Sequence, residues 1–368
     1  MSYITAIGTA NPPHRYEQSQ IADFMTRAMQ LDAHDGRKLR TIFQASGIDY
    51  RYSVLKDYGL KSGYTFFPDN DDLEPFPSTA VRLKLFREHA LELSVQSVGK
   101  MLLEVPQFNL QDVTHLITVT CTGLYAPGLD IDLVRQLRLP STINRTAINF
   151  MGCYAAVNAL KVADAFCSQG PNIKVLVVCT ELCSLHFQKE PTEDNLISNA
   201  LFSDGSAAVL VESTSVAARR LIPESFCNDL ITGGSEDMAW GVGDTGFEMK
   251  LSSYVPSLIR SGISSLASSL LRNGEKTISD IEHFAVHPGG RKILENVELE
   301  LGISKEKNAA GYDILRAYGN MSSPTILFVL QNIFKRLTVN NNGDNILGLA
   351  FGPGLTLESV LLRTEIDA

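Results

Sequence analysis

Residues 111–120, QDVTHLITVT, and residues 279–287, SDIEHFAVH, are two versions of one pattern. Asp112 falls on Asp280, a displacement of 168 residues, and each copy runs as an apolar strand into a turn containing glycine: CTG in the first, HPGG in the second. Nearly the same displacement recurs further on. After Cys153, YAAVNALKVADAF carries apolar residues at helical spacing and stops at residues 169–172 (QGPN) before the apolar run IKVLVV. After Asn320, MSSPTILFVLQNIFKRL does the same, stopping at residues 340–343 (NNNG) before ILGLAF. Apolar runs without alternation are strands covered on both faces, as when helices flank a mainly parallel sheet. The expected architecture is therefore α/β and duplicated, with the join near residues 213–230, here taken as halves 1–220 and 221–368. Cys153 and Asn320 would open the central helices of their halves. His287 would lie at a strand end, where ligands of open α/β sheets collect. Folding about a pseudo-twofold axis would bring the three together.

Composition narrows the classes. Lys and Arg number 32 against 41 Asp and Glu, a net charge of −9 with no basic block. That excludes the electrostatic footprint of a nucleic-acid binder and leaves an anionic ligand to a few placed cations. The N-terminus MSYITAIGTANPP lacks the basic segment and apolar core of a secretory signal. No run approaches the roughly 20 apolar residues of a membrane span. Six cysteines (Cys121, Cys153, Cys167, Cys179, Cys183, Cys227) lie in apolar contexts without disulfide or zinc spacing. A reduced, cytoplasmic protein is expected, with no metal centre.

Three residues stand in chemical contexts. Cys153 follows Gly152, which permits a sharp strand-to-helix turn; helix-end N–H groups and a neighbouring histidinium would favour its thiolate. His287 opens His-Pro-Gly-Gly, and Asn320 sits in Gly-Asn-Met-Ser-Ser. Taken singly, the cysteine also reads as a packing residue, the histidine as a core residue and the asparagine as a helix cap.

Together, in this order and spacing, they resemble the Cys-His-Asn enzymes of the thiolase fold. The closing stretch AFGPGLTLE (350–358) resembles the GFGPGLT segment of the chalcone synthase family. ELCSLHF (181–187) and WGVGDTGF (240–247) look like its bacterial and fungal members. The chain is thus similar, from about Tyr3 to Arg363, to the type III polyketide synthases, which implies a thiolase-like duplicated αβαβα layered fold. The resemblance further implies that Cys153 takes an acyl primer from coenzyme A while His287 and Asn320 hydrogen-bond the thioester carbonyl of malonyl-CoA. Loss of carbon dioxide then leaves an enolate that attacks the acyl-Cys153 thioester. No cofactor is implied beyond the CoA thioesters, and a homodimer is.

The resemblance also outlines the cavity. Phe202 matches an aromatic between the CoA tunnel and the reaction chamber, Met249 falls where the family has a second aromatic, and Ser322 keeps its family identity. Trp240 and His186 stand where plant chalcone synthases have Gly and Thr, and Ala126 where they send a side chain across the dimer interface. These changes argue against a plant-type aromatic starter and for an aliphatic primer giving alkylpyrones or alkylresorcinols. Arg51 and Lys56 are the expected CoA phosphate ligands. A ketoacyl synthase III acting with acyl carrier protein is the alternative. An HMG-CoA synthase would need a carboxylate beside the triad, and the sequence offers no obvious candidate.

Overall fold

The computed structural model describes residues 1–234, 237–252 and 255–367. In chain order its strands are β1 (Tyr3–Ala10), β2 (His14–Glu17), β3 (Tyr50–Ser53), β4 (His115–Thr120), β5 (Asn144–Asn149), β6 (Lys174–Leu182), β7 (Asp204–Glu212), β8 (Arg219–Leu230), β9 (Met238–Gly243), β10 (Gly246–Leu251), β11 (His283–Val286), β12 (Asn345–Gly352) and β13 (Thr356–Ile366). The α-helices are α1 (Gln18–Ala28), α2 (Ala33–Ala45), α3 (Thr79–Leu102), α4 (Leu129–Gln136), α5 (Ala155–Cys167), α6 (Glu193–Leu201), α7 (Val255–Asn273), α8 (Arg291–Leu301), α9 (Ala309–Tyr318) and α10 (Thr325–Arg336).

Strands of both halves join in the order β11-β12-β13-β8-β1-β7-β6-β4-β5. The duplication is visible in the pairing. β4, β6, β7 and β1 form one parallel and two antiparallel pairs, and β11, β12, β13 and β8 repeat that sequence of pairs. The two sets meet where β1 and β8 pair antiparallel at Ile4 and Leu221, as a pseudo-twofold axis requires. Residues 213–218 connect β7 to β8, so the halves as drawn from the sequence divide just inside β8. The sheet is mixed, not mainly parallel as expected. The physical reason is connection length: only residues 353–355 separate β12 from β13, and so short a link can join only antiparallel strands.

The apolar runs are buried on both faces because alternate residues serve different layers. Val175 and Val177 of β6 join the central core, whereas Leu176 and Val178 join the core beneath α3. In the second half Ile346, Val360 and Leu362 face the central core, and Leu347 and Leu361 face the core under α7. The central layer is α5 and α10, each packing against strands of both halves. The order is thus helix, sheet, helices, sheet, helix. At about 1.5–3 kcal/mol for each fully buried large apolar side chain, these three cores supply the main driving force for folding.

Asn320 departs from its expected place. Helix α10 begins only at Thr325, because Pro324 occupies its N-cap and the residue before a proline is steered away from helical backbone. Asn320 therefore lies in the loop ahead of the helix, where it forms an isolated parallel bridge with Phe202.

Candidate active site

Each element delivers its side chain by a local backbone constraint. Gly152 has φ +78°, and a Cβ there would come within 2.5 Å of Pro353 Cδ, so only glycine allows the 353 loop to close over the turn before α5. That turn (Gly152–Tyr154) presents Cys153, which is 2% exposed. His287 follows β11, with its N–H donating to Leu349 O at 2.8 Å. Asn320 donates its N–H to Leu201 O and accepts from Ser203 N–H, both at 2.9 Å, which ties the two halves together at the site.

The Asn320 amide is oriented by its neighbours. Its Oδ1 accepts from Ser322 N–H at 2.8 Å and Thr325 Oγ1 at 3.4 Å, and backbone N–H can only donate. Nδ2 is therefore the group presented to Gly289 O (3.3 Å) and Cys153 Sγ (3.9 Å). Cys153, His287, Asn320 and Phe202 line one chamber together with Ile259, Ile293 and Phe351.

Burial sets the protonation states. Cys153 is pushed up to about 11, mainly by desolvation and against hydrogen bonds from Ser322 and Asn320. His287 is pushed down to about 3 by the same cause, and neither ring nitrogen has a hydrogen-bond partner. The resting chamber thus favours a neutral thiol and a neutral imidazole. Desolvation therefore opposes the thiolate–histidinium pair expected from the sequence, in which each group would have to serve as the other's counter-charge.

The chamber shares wall residues with further spaces. A second of about 290 Å³ shares Cys153 and Phe202 with it and is lined also by Cys121, Cys183, Trp240, Met249 and Ser322. Beyond Phe202, Trp240 and Met249 lies a recess reaching Met25, Tyr58 and Phe187. On the opposite side, Val255, Gly289 and Ile293 are common to the catalytic chamber and a surface groove of about 1270 Å³.

The wall residues are held by specific contacts. Trp240 and Met249 are cross-strand partners on the β9–β10 hairpin, and Trp240 Nε1 donates to Cys121 O at 2.6 Å. His186 stacks on Phe247 at 4.3 Å and meets Trp240 edge-on at 6.0 Å. Its Nδ1 accepts from Phe247 N–H at 3.0 Å, so Nε2 carries the proton donated to Thr122 O at 2.7 Å. Desolvation lowers its pKa to about 3.

An acid sensitivity follows with a definite sign. A histidine held neutral, with its folded pKa below the unfolded value of 6.5, contributes stability that is complete above 6.5 and lost as pH falls toward 3. The buried carboxyls of Asp204 and Glu181 are raised by desolvation and act oppositely, so the clean measurement is a difference. In urea titrations between about pH 6.5 and 5, His186→Gln should flatten the pH dependence by about 1.4 kcal/mol per unit relative to the parent. Parallel curves would mean that His186 titrates normally.

Arg51 is not at a tunnel mouth. It is 3% exposed, with Nε donating to Gln18 Oε1 (2.8 Å) and Nη1 to the carbonyls of Asn199 and Phe202 (both 2.7 Å). Through Nη1 it ties the end of α6 to Phe202, and it lines the inner recess instead of facing solvent. Lys56 is exposed on a 3-10 turn and does not border the surface groove. The cations that do are Lys38, Arg291 and Lys292. Arg291 and Lys292 directly follow the His-Pro-Gly-Gly turn, a signal the sequence carried.

Glu181 was also missed. It is fully buried at the end of β6, close to the triad, contrary to the expectation that no carboxylate lies there. It accepts from Cys121 N–H (2.9 Å), Thr122 N–H (3.1 Å), Thr122 Oγ1 (2.6 Å), Thr120 Oγ1 (3.1 Å) and Ser323 Oγ (2.7 Å). A lone acid closing the apolar run IKVLVVCTEL is the mark that could have revealed it.

Comparison with known proteins agrees with this geometry. Residues 1–215 match the model of the chalcone and stilbene synthase N-terminal domain, and residues 224–365 that of the C-terminal domain. The chain is 31% identical over 366 residues to the alpha-pyrone synthesis polyketide synthase-like Pks18 of Mycobacterium tuberculosis, covering 98% of this chain and 91% of that protein. It is 31% identical to 3,5-dihydroxyphenylacetyl-CoA synthase of Amycolatopsis balhimycina, covering 97% and 91%. Among solved structures, PKS-I from the brown alga Ectocarpus siliculosus superimposes with a TM-score of 0.91 at 29% identity, covering 98% of both chains.

Proposed function

Because the chain belongs to the chalcone and stilbene synthase family, the type III polyketide synthases, we propose that it loads an acyl primer from CoA onto Cys153 and extends it with malonyl-CoA to an alkyl α-pyrone or resorcinol. The observation that supports this reading is the chamber lined by Cys153, His287 and Asn320, which shares wall residues with a cation-bordered surface groove on one hand and with an apolar inner space on the other. CoA enters along the surface groove, its phosphates met by Lys38, Arg291 and Lys292. The thioester reaches the chamber of Cys153, His287 and Asn320. The neutral His287 ring and Asn320 Nδ2 donate to the thioester oxygen of malonyl-CoA, where negative charge develops as carbon dioxide leaves. The enolate carbon attacks the acyl-Cys153 carbonyl, releasing the Cys153 sulfur to accept the lengthened chain.

The fixed wall of Trp240, His186 and Phe247 leaves little room for an aromatic starter, since overpacking costs about 1–3 kcal/mol. A linear chain instead passes the flexible Met249 toward Met25 and Phe187. The name of the relative Pks18 supports the pyrone outcome, and the family match leaves the carrier-protein alternative unfavoured. The same reading includes a homodimer in the cytoplasm that needs no cofactor beyond the CoA thioesters. Among the described residues no helix is long and apolar enough to cross a membrane.

The test is a primer series with product mass spectrometry. From acetyl- through hexanoyl- to lauroyl-CoA, kcat/KM should rise by up to about fourfold per methylene buried, the equivalent of about 0.8 kcal/mol, until the recess is filled. A clear preference for coumaroyl-CoA would overturn the aliphatic reading.

A further inference from the structure

Behind Phe202 the recess keeps one donor unspent. Arg51 lines it and is 3% exposed; Nε and Nη1 are taken by Gln18, Asn199 and Phe202, but Nη2 is buried without a hydrogen-bond partner. Among the described residues lining the recess, no other buried side-chain nitrogen or oxygen is left so. Its polar neighbours are already paired: Tyr58 Oη donates to Ser184 O at 2.7 Å, and Asn199 Nδ2 to Gln188 O at 2.9 Å. Asp204, whose charge faces Arg51, spends its carboxylate on Ser184 N–H, Ser184 Oγ and Val54 N–H. Burial lowers Arg51 only to about 10, so it stays a cation. A buried charged donor left open is costly, and a substrate oxygen would complete it. Arg82 shares a free Nη2 but lines neither chamber nor the recess.

The place of Arg51 decides which part of a bound chain meets it. Gly319 has φ +69°, and a Cβ there would come within 2.9 Å of Arg51 Cγ, so glycine lets the arginine stem lie against the residue before Asn320. Nη1 holds the carbonyl of Phe202, which lines the catalytic chamber, the inner chamber and the recess alike. The guanidinium therefore stands beside the wall that the recess shares with the chambers, whereas Met25 and Phe187 line the recess alone. An alkyl tail carries no acceptor, but successive malonyl extensions place a ketone oxygen on every second carbon. We infer that the recess is a binding site for a ketone oxygen of the growing chain, taken by Arg51 Nη2, with the alkyl tail beyond it against Met25 and Phe187. A plain alkyl chain leaves the guanidinium open, so the site favours keto-bearing acyl chains over saturated ones of the same length.

The inference rests on the proposed loading of Cys153 from aliphatic acyl-CoA, and the experiment keeps the two apart. Octanoyl-, 5-oxooctanoyl- and 7-oxooctanoyl-CoA are compared as primers with malonyl-CoA, by kcat/KM and product mass spectrometry. Their ketones lie too far from the thioester to alter its reactivity. In the parent, at least one oxo primer should exceed octanoyl-CoA by about tenfold or more, the worth of a hydrogen bond to a charged group. Arg51→Lys keeps the cation but lacks the fork, so its ratio of oxo to saturated primer should fall toward one. A purely structural role would slow all three primers alike and leave that ratio at the parent's value, which would overturn the inference. So would a parent that uses the three equally or prefers octanoyl-CoA, a comparison that stands even where the lysine variant does not fold. Failure of all three to acylate Cys153, with coumaroyl-CoA accepted, would instead overturn the aliphatic reading itself.

Discussion

Cys153→Ala is expected to form no acyl adduct and make no polyketide, while keeping its fold. The parent incubated with an acyl-CoA should gain the mass of one acyl group on the peptide containing Cys153, and the variant none. The loss should be complete, because among the described residues Cys153 is the only nucleophilic side chain lining both chambers. Cys121 and Cys183 line the adjoining chamber, but desolvation and the Glu181 charge raise both thiols well above the ordinary cysteine value. A thiol that does not ionise is a poor nucleophile. Of the described thiols, Cys153 is the one that lines both chambers, and it receives a lowering hydrogen bond from Asn320 besides the one from Ser322 that Cys121 shares. Alanine removes one buried sulfur from a turn whose geometry is set by Gly152 and Pro353, so the melting temperature should change little. An acyl group found on Cys121 or Cys183 of the parent would refute the assignment.

The duplication was legible because it rests on local patterns. An apolar run flanked by turn residues specifies a doubly covered strand whichever layer each residue faces, and both copies kept theirs. What the letters did not encode was partner choice. Whether β12 pairs parallel or antiparallel with a neighbour depends on the tight 353–355 turn and on long-range docking, so a mainly parallel sheet was expected where a mixed one formed. The triad residues were visible through their glycine-rich contexts, and the structure gathers them in one chamber. Arg51 misled for a plain reason: an arginine's charge suggests solvent or phosphate, and only the fold discloses three acceptors waiting inside. Glu181 misled in the opposite way. Its value lies in donors from residues 120–122 and 323, which sequence separation hides. The ion pair was a matter of degree. Proximity of Cys and His suggests charge separation, whereas burial of each ring and thiol pulls the preference the other way.

That reversal shapes the outcome expected for the two donors. Asn320→Ala and His287→Ala should each lose malonyl-CoA decarboxylation by about 10²–10³-fold, the usual cost of one oxyanion donor. Asn320 acts through Nδ2, because Ser322 N–H holds Oδ1. Asn320→Asp keeps the shape and the Oδ1 contact but turns a donor into an acceptor, so it should be no better than alanine. His287 is the sharper case. Held neutral down to about 3, it donates one N–H and carries no charge at working pH. His287→Gln supplies a neutral N–H of similar reach and should retain more decarboxylation than His287→Ala. The parent's decarboxylation rate should likewise show no inflection near the ordinary histidine value of about 6.5. Carbon dioxide release from malonyl-CoA across that range measures both. An inflection near 6.5 that disappears in His287→Gln, with glutamine no better than alanine, would mean that the imidazolium does the work. The bound substrate would then have to supply the negative charge that the empty chamber lacks.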